Sequence, residues 1–276
     1  MIKLQIAVMI GSAKLHLAWT VILLGLVFLS AAHSATYYVK PNSANDTCPP
    51  SESPCLTLTE YGRNYDQHFN VSDIELKLLP GIHVLEVNFT VANIQHVQVL
   101  GNSSSTEVLC TDDVGITFEN VSGLMIDGLI FISCGTHLFP YEYYATLKFP
   151  HFFDFAGQST GYTIMYLHGL LIDSVQHTMI TNCTFQSSSG TALAVVNSSA
   201  VLGNTSFLHN CKKLSVNSCY GGGILAVESS LNFTGTTLFS KNKGGGITAC
   251  NHTTVNMNGS ITFVKNSAVN SGANFL

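Results

Sequence analysis

Of the 276 residues only 10% are charged, well below the roughly 25% usual for a soluble domain, and 11 basic against 16 acidic residues leave a net charge of −5. There is no basic stripe, so no nucleic-acid partner is expected. Gly, Ser, Thr and Asn supply the polarity instead, a composition that suits many tight turns and does not suit a helical protein.

The first segment reads as a signal. Lys3 and Lys14 precede an apolar run from Leu15 to Leu29, followed by the small residues Ala31-Ala32-His33-Ser34. A basic start, an apolar centre and a small-x-small site predict a secretory signal helix over 1–34, cut after Ser34. The alternative is an uncleaved anchor, because Leu15 to Ala32 approaches spanning length; a membrane is a partner only in that case. The product is then secreted or held at the cell surface. All eight cysteines lie beyond the signal, and an even number in an exported chain predicts disulfides. Proximity suggests Cys48–Cys55 and Cys211–Cys219, with Cys110–Cys134 one coil apart; Cys183 and Cys250 have no evident mate. No Cys-x-x-Cys pair is present, which argues against zinc. Sequons begin at Asn45, Asn70, Asn88, Asn102, Asn120, Asn182, Asn197, Asn204, Asn232, Asn251 and Asn258. They are glycosylation candidates, some to be used and some structural, since a chain rich in Asn, Ser and Thr also generates such triplets by chance.

After the signal, Ala35 to Lys40 reads as a strand through Tyr37, Tyr38 and Val39. Pro41 to Pro54 forms a loop. Thr57-Leu-Thr-Glu60 is a capping box, the start of a short helix. Residues 35–64 thus make an N-terminal strand, a disulfide loop and a helix that covers the open end of a solenoid. Over 65–276 the chain becomes a series of short β-rich runs separated by turns, the pattern of that all-β solenoid. Ile74 to Leu79 alternates and stops at Pro80-Gly81; Ile116 to Phe118, Leu124 to Ile126 and Leu129 to Phe131 make a cleaner coil. Residues 136–162 break the rhythm with many rings, among them Tyr141, Tyr143, Tyr144, Phe152 and Phe153. This insertion reads either as rings packed on the solenoid flank or as a ligand-contact element, because loops on a rigid scaffold carry most function. Leu170 to Asp173 then echoes Leu124 to Asp127.

The period is clearest near the end. Gly221-Gly222-Gly223-Ile224 is answered 23 residues later by Gly244-Gly245-Gly246-Ile247, and Phe239-x-x-Asn242 is answered 24 residues later by Phe263-x-x-Asn266. Phe185-x-x-Ser188 and Phe207-x-x-Asn210 precede them. Self-similarity at this period means stacked supersecondary units. Equivalent residues then lie one strand spacing apart, about 4.8 Å, so that Ile224 stacks on Ile247 and Phe207 on Phe239 and Phe263. Inward Asn210, Asn242 and Asn266 pass amide hydrogen bonds along the stack. The final coil stops at Leu276 with an apolar layer open, which suggests a piece of a longer surface protein.

The Phe-x-x-Asn and Gly-Gly-Gly-Ile pairs resemble the repeats of bacterial polymorphic outer-membrane proteins, over Phe207 to Asn266. Tyr37-Tyr38-Val39, the Cys48-Pro-Pro…Pro54-Cys55-Leu-Thr-Leu58 segment and Ile126-Asp-Gly-Leu-Ile-Phe131 resemble secreted animal proteins with a pectin-lyase-like fold. Both resemblances imply a right-handed parallel β-helix, and neither implies catalysis. Polygalacturonases share that fold, and Asp112-Asp113 is similar to their aspartate pair, but their partner signatures Asn-Thr-Asp, Gly-His-Gly and Arg-Ile-Lys are absent. The sole arginine, Arg63, belongs to the capping helix rather than to a lyase-like basic site. The expectation is therefore a non-catalytic binding or adhesion module for glycans or extracellular proteins, without cofactor or metal. The alternatives are a carbohydrate-active enzyme, which needs Asp112, Asp113, Asp127 or Asp173 to converge, or a structural fragment of a larger protein.

Overall fold

The computed structural model describes residues 34–42, 55–63, 71–111, 114–135, 168–211 and 222–267. Residues 1–33 of the expected 1–34 signal, Asn45, Cys48, Asn70, Asp112, Asp113, the aromatic insertion with Tyr141, Tyr143, Tyr144, Phe152 and Phe153, and Cys219 lie outside them. Within the described residues each short alternating run is a strand, and the strands stack in three rows. Row one holds β3 (Asp73–Leu78), β6 (His96–Leu100), β9 (Gly123–Asp127), β12 (His177–Thr181), the first halves of β15 (Ser199–Leu208) and β17 (Ser230–Ser240), and β19 (Thr254–Met257). Row two holds β4 (Gly81–Leu85), β7 (Thr106–Cys110), β10 (Ile130–Ile132), β13 (Thr184–Gln186), the second halves of β15 and β17, and β20 (Ser260–Val264). Row three is a separate sheet of β5 (Phe89–Ala92), β8 (Ile116–Glu119), β11 (His168–Asp173), β14 (Thr191–Val196), β16 (Ile224–Val227) and β18 (Ile247–Cys250). Neighbours within each row pair in parallel. The chain is all-β and forms the parallel β-helix that its period predicts.

The first end is closed as expected. β1 (Ser34–Val39) pairs with β2 (Cys55–Leu56) and joins row one beside β3. Helix α1 (Leu58–Arg63) begins at the capping box: Glu60 accepts from the Thr57 amide at 2.7 Å and from its hydroxyl at 2.9 Å, and the Glu60 amide donates back to Thr57 at 3.3 Å. These bonds satisfy donors that a helix start leaves unpaired, and the Thr57 amide bond holds the Glu60 carboxyl below its ordinary pKa. Leu58 and Tyr61 are buried in the core, with Tyr61 edge-on to Tyr37.

The interior consists of residue columns. In row two His83, Val108, Phe131, Phe185, Phe207, Phe239 and Phe263 occupy successive rungs. The five phenylalanines stack with centroids 4.8–5.0 Å apart and planes within 4–12°, because strand pairing sets both spacing and orientation. Ile224 pairs with Ile247 in row three. Gly223 precedes this pair because a Cβ there would collide with the Gly246 carbonyl oxygen.

The corner after each phenylalanine is equally regular. The second residue on is left-handed: Ser133, Ser187, His209, Lys241 and Lys265 have φ of 58°, 61°, 57°, 54° and 52°. The third turns inward. Asn242 Oδ1 accepts from the Asn210 amide nitrogen and Nδ2 at 3.1 and 2.9 Å, while its own Nδ2 donates to Phe207 O at 2.9 Å and Asn266 Oδ1 at 3.0 Å. Asn210 Oδ1 accepts from Ser188 N in turn. Cys134 holds the same position after Phe131, and there a covalent link to Cys110, 24 residues earlier, replaces the amide ladder. Cys55 and Cys211 are also disulfide-bonded, their expected mates being outside the described residues. Cys183 and Cys250 are free.

One reading changes. Leu170 to Asp173 does not repeat Leu124 to Asp127: the former lies in β11, paired with β8, and the latter in β9, paired with β12. The sequons also acquire a structural cause. Asn120, Asn182, Asn197, Asn204 and Asn251 sit at left-handed corners, φ 46–53°, where Asn is tolerated best after Gly. At most of these corners the following residue points inward and the next begins the outer face of a strand, as in Asn182-Cys183-Thr184 and Asn204-Thr205-Ser206. Such a corner favours Asn, though Ser, His, Lys and Glu occupy others of the same conformation. Asn88, Asn102 and Asn258 are also exposed, and Asn232 is half-buried in β17.

His168 opens β11 with its side chain wholly buried, and burial pushes its pKa down to about 4. The unfolded imidazole titrates near 6.5, so between about 6.5 and 4 the unfolded chain binds the extra proton. Stability should be fully present above pH 6.5 and fall by up to about 3 kcal/mol as the pH drops through that window. Urea unfolding at pH 7 and pH 4.5 should show this loss in the native chain and a smaller one in His168→Gln; equal losses would assign the acid sensitivity elsewhere.

Candidate binding face

Alternation along row one puts every second residue on its outer surface. Register then aligns those residues into three lines. The first runs Asp73, His96, Gly123, His177, Ser199, Ser230, Thr254, and the second Glu75, Gln98, Met125, Met179, Val201, Asn232, Asn256. The third line contains Lys77, Leu100, Asp127, Thr181, Gly203 and Thr234. Seven strands at about 4.8 Å spacing give a face about 29 Å long. His96, Gln98, His177, Met179, Thr254 and Asn256 are exposed on it, Met179 to 43%.

The face is preorganised at one end. Asp73 lies 2.7 Å from His96 Nδ1, and the imidazole ring leans over Gly123, where an added Cβ would meet His96 Cδ2 at 2.9 Å. Gly123 thus makes room for the His96 ring, and His177 lies one rung to the other side. Met125 and Met179 form an apolar floor beside them, while Gln98, Asn232 and Asn256 offer amide donors and acceptors along the same line. Glu75 is held by Thr36 at 2.8 Å and by Lys77 at 3.1 Å. The arrangement can hydrogen-bond a flat polar ligand and pack its apolar side on sulfur and methylene groups.

Acid–base chemistry has less support among the described residues. Asp127 accepts from Thr181 Oγ1 at 2.7 Å and Asn182 Nδ2 at 2.8 Å. Asp173 lies buried on the third-row sheet, so these two expected partners are not brought together. Glu75 and Asp127 share the face two strands apart, and each carboxylate is engaged by other neighbours, Glu75 by Thr36 and Lys77 and Asp127 by Thr181 and Asn182. No group of three His, Cys, Asp or Glu residues that could hold a metal occurs among the described residues. Burial pushes the Cys183 thiol up to about 12, leaving it protonated and inert at neutral pH.

The amides of several sequons are engaged in the corners. Asn120 Nδ2 donates to Asn93 at 3.3 Å, Asn197 Nδ2 to Ser174 at 3.4 Å, and Asn204 Nδ2 to Asn182 Oδ1 at 3.3 Å. Sequence reasoning did not single out this face, because only the register brings His96 and His177 to either side of Gly123. Comparison with protein-family models, with curated proteins and with solved structures finds no match to this chain.

Proposed function

We propose that the chain is a secreted or cell-surface β-helical binding module whose outer row-one face recognises extended glycans or extracellular proteins. The observation that carries this reading is the line of exposed side chains at His96 and His177 beside the methionine floor, with amide side chains continuing at strand spacing. Disulfide-bonded cysteines fit an oxidising compartment, and the rigid stack beneath the face keeps its rows in place without further ordering cost.

The test is binding of the purified chain to a panel of glycans and extracellular-matrix proteins. A hit should weaken about tenfold or more in the His177→Ala, Met179→Ala double variant, equivalent to about 1.4 kcal/mol, with an unchanged circular dichroism spectrum. Binding unaffected by that variant would remove this face as the site. Release of new products from a bound polysaccharide would favour the enzyme reading instead.

A further inference from the structure

We propose that the outer surface of the third row is a docking surface for the chain's own residues 136–167. The third-row strands β11, β14 and β16 are buried at every position, on both faces. Alternation assigns Leu170, Ile172, Leu193, Val195, Ile224 and Ala226 to the interior. The remaining residues point outward. Leu171, Ala194 and Leu225 occupy one outer line, and Asp173, Val196 and Val227 the next. All six are less than one-tenth exposed, and Leu171, Ala194 and Val196 form an apolar cluster separate from the main core.

The character of this face changes along the stack. On the preceding strands the same two lines hold Thr90, Ala92, Thr117 and Glu119, all exposed or half-buried. The apolar, covered stretch begins at β11, the strand into which residues 136–167 lead. On the far side it fades, with Thr248 buried and Cys250 half-buried. The described helix, α1, packs at the other end, on β4 and β5.

Both ends of the segment lie beside this face. Gly135 donates its amide to Val114 O at 2.8 Å, just before β8, and the chain resumes at His168 as the first residue of β11. The segment has 32 residues, while the face spans three rung steps, about 14 Å, so the chain can run out and back with length to spare. Its rings, including Phe139, Tyr141, Tyr143, Tyr144, Phe149, Phe152, Phe153 and Phe155, match an apolar sheet better than they match water. This docking is independent of the ligand reading, which uses the row-one face.

A photoreactive benzophenone side chain placed at Leu225, and separately at Ala194, in the full chain would identify the occupant by peptide mapping after illumination. Crosslinks within one chain to residues 136–167 are expected. Crosslinks to residues 1–33, to a second copy or to another protein would overturn the proposal, and so would a failure to crosslink to any protein. In a second variant a short Gly/Ser linker replaces 136–167. Binding of an apolar fluorescent dye should rise several-fold and fall again when Leu171→Glu and Leu225→Glu are added; unchanged dye binding would also overturn it. If the linker variant does not fold, the crosslinks decide alone.

Discussion

Replacing Asn242 with Ala should cost about 3–5 kcal/mol, more than most single substitutions. The side chain is fully buried and makes four hydrogen bonds, two as acceptor from Asn210 and two as donor to Phe207 O and Asn266. Truncation leaves the buried Asn210 amide and Phe207 carbonyl without these partners, at about 1–3 kcal/mol each, besides losing contacts. For a domain of this size that is a fall in Tm of about 10 °C. Asn266→Ala should cost markedly less, since Asn266 is only half-buried and is the last of the ladder among the described residues. Thermal and urea unfolding of the two variants checks the order. A loss below about 1 kcal/mol at Asn242 would mean that water or a shifted backbone replaces the amide.

Phe207→Ala is the matching test of the aromatic column. Phe207 is fully buried between Phe185 and Phe239, with centroids at 5.0 and 4.8 Å. Its removal leaves a cavity that strand pairing on both sides keeps from closing. The expected cost is about 3–5 kcal/mol, including two stacking contacts of about 0.5–1.5 kcal/mol each. Among the described residues Phe263 has one stacked neighbour, and it is half-buried, so Phe263→Ala should cost roughly half as much by the same area argument. Hydrogen exchange should localise the two effects differently: Phe207→Ala loosens coils on both sides of the break, whereas Phe263→Ala frays the last described coil. Equal costs would show that the column is not the unit of packing.

What could be read from the sequence were the places where a rung keeps its residue type. Phe-x-x-Asn and Gly-Gly-Gly-Ile repeat because stacking, inward amides and close backbone approach each admit few side chains. Earlier rungs of the same columns hold His83, Val108 and Cys134, which do the same job without looking alike. The confusion of Leu170–Asp173 with Leu124–Asp127 has a related origin. Both rows need alternating apolar residues followed by a corner, and only strand pairing tells one row from another. Outer faces carry no repeat at all. Asp73, His96, Gly123 and His177 belong to one line, but nothing in their identities or spacing says so. The capping box was legible because its two partners are three residues apart, and all of its bonds are local.

The corner after each phenylalanine has a consequence for how such a chain can vary. Because the coils of Phe207, Phe239 and Phe263 offer their neighbours the same pairing edge, ring and amide, these coils are interchangeable modules, and their number is a free parameter. Joining Cys211 to the coil that carries Phe263 would place Phe207 against Phe263 and Asn210 against Asn266, contacts of the kind each already makes with Phe239 and Asn242. Gain or loss of whole modules would then resize the outer face in steps of one strand width, whereas an extra residue within a module is absorbed locally, as where Gly203 and Thr205 face Thr234 and Thr237 and Phe207 still pairs with Phe239.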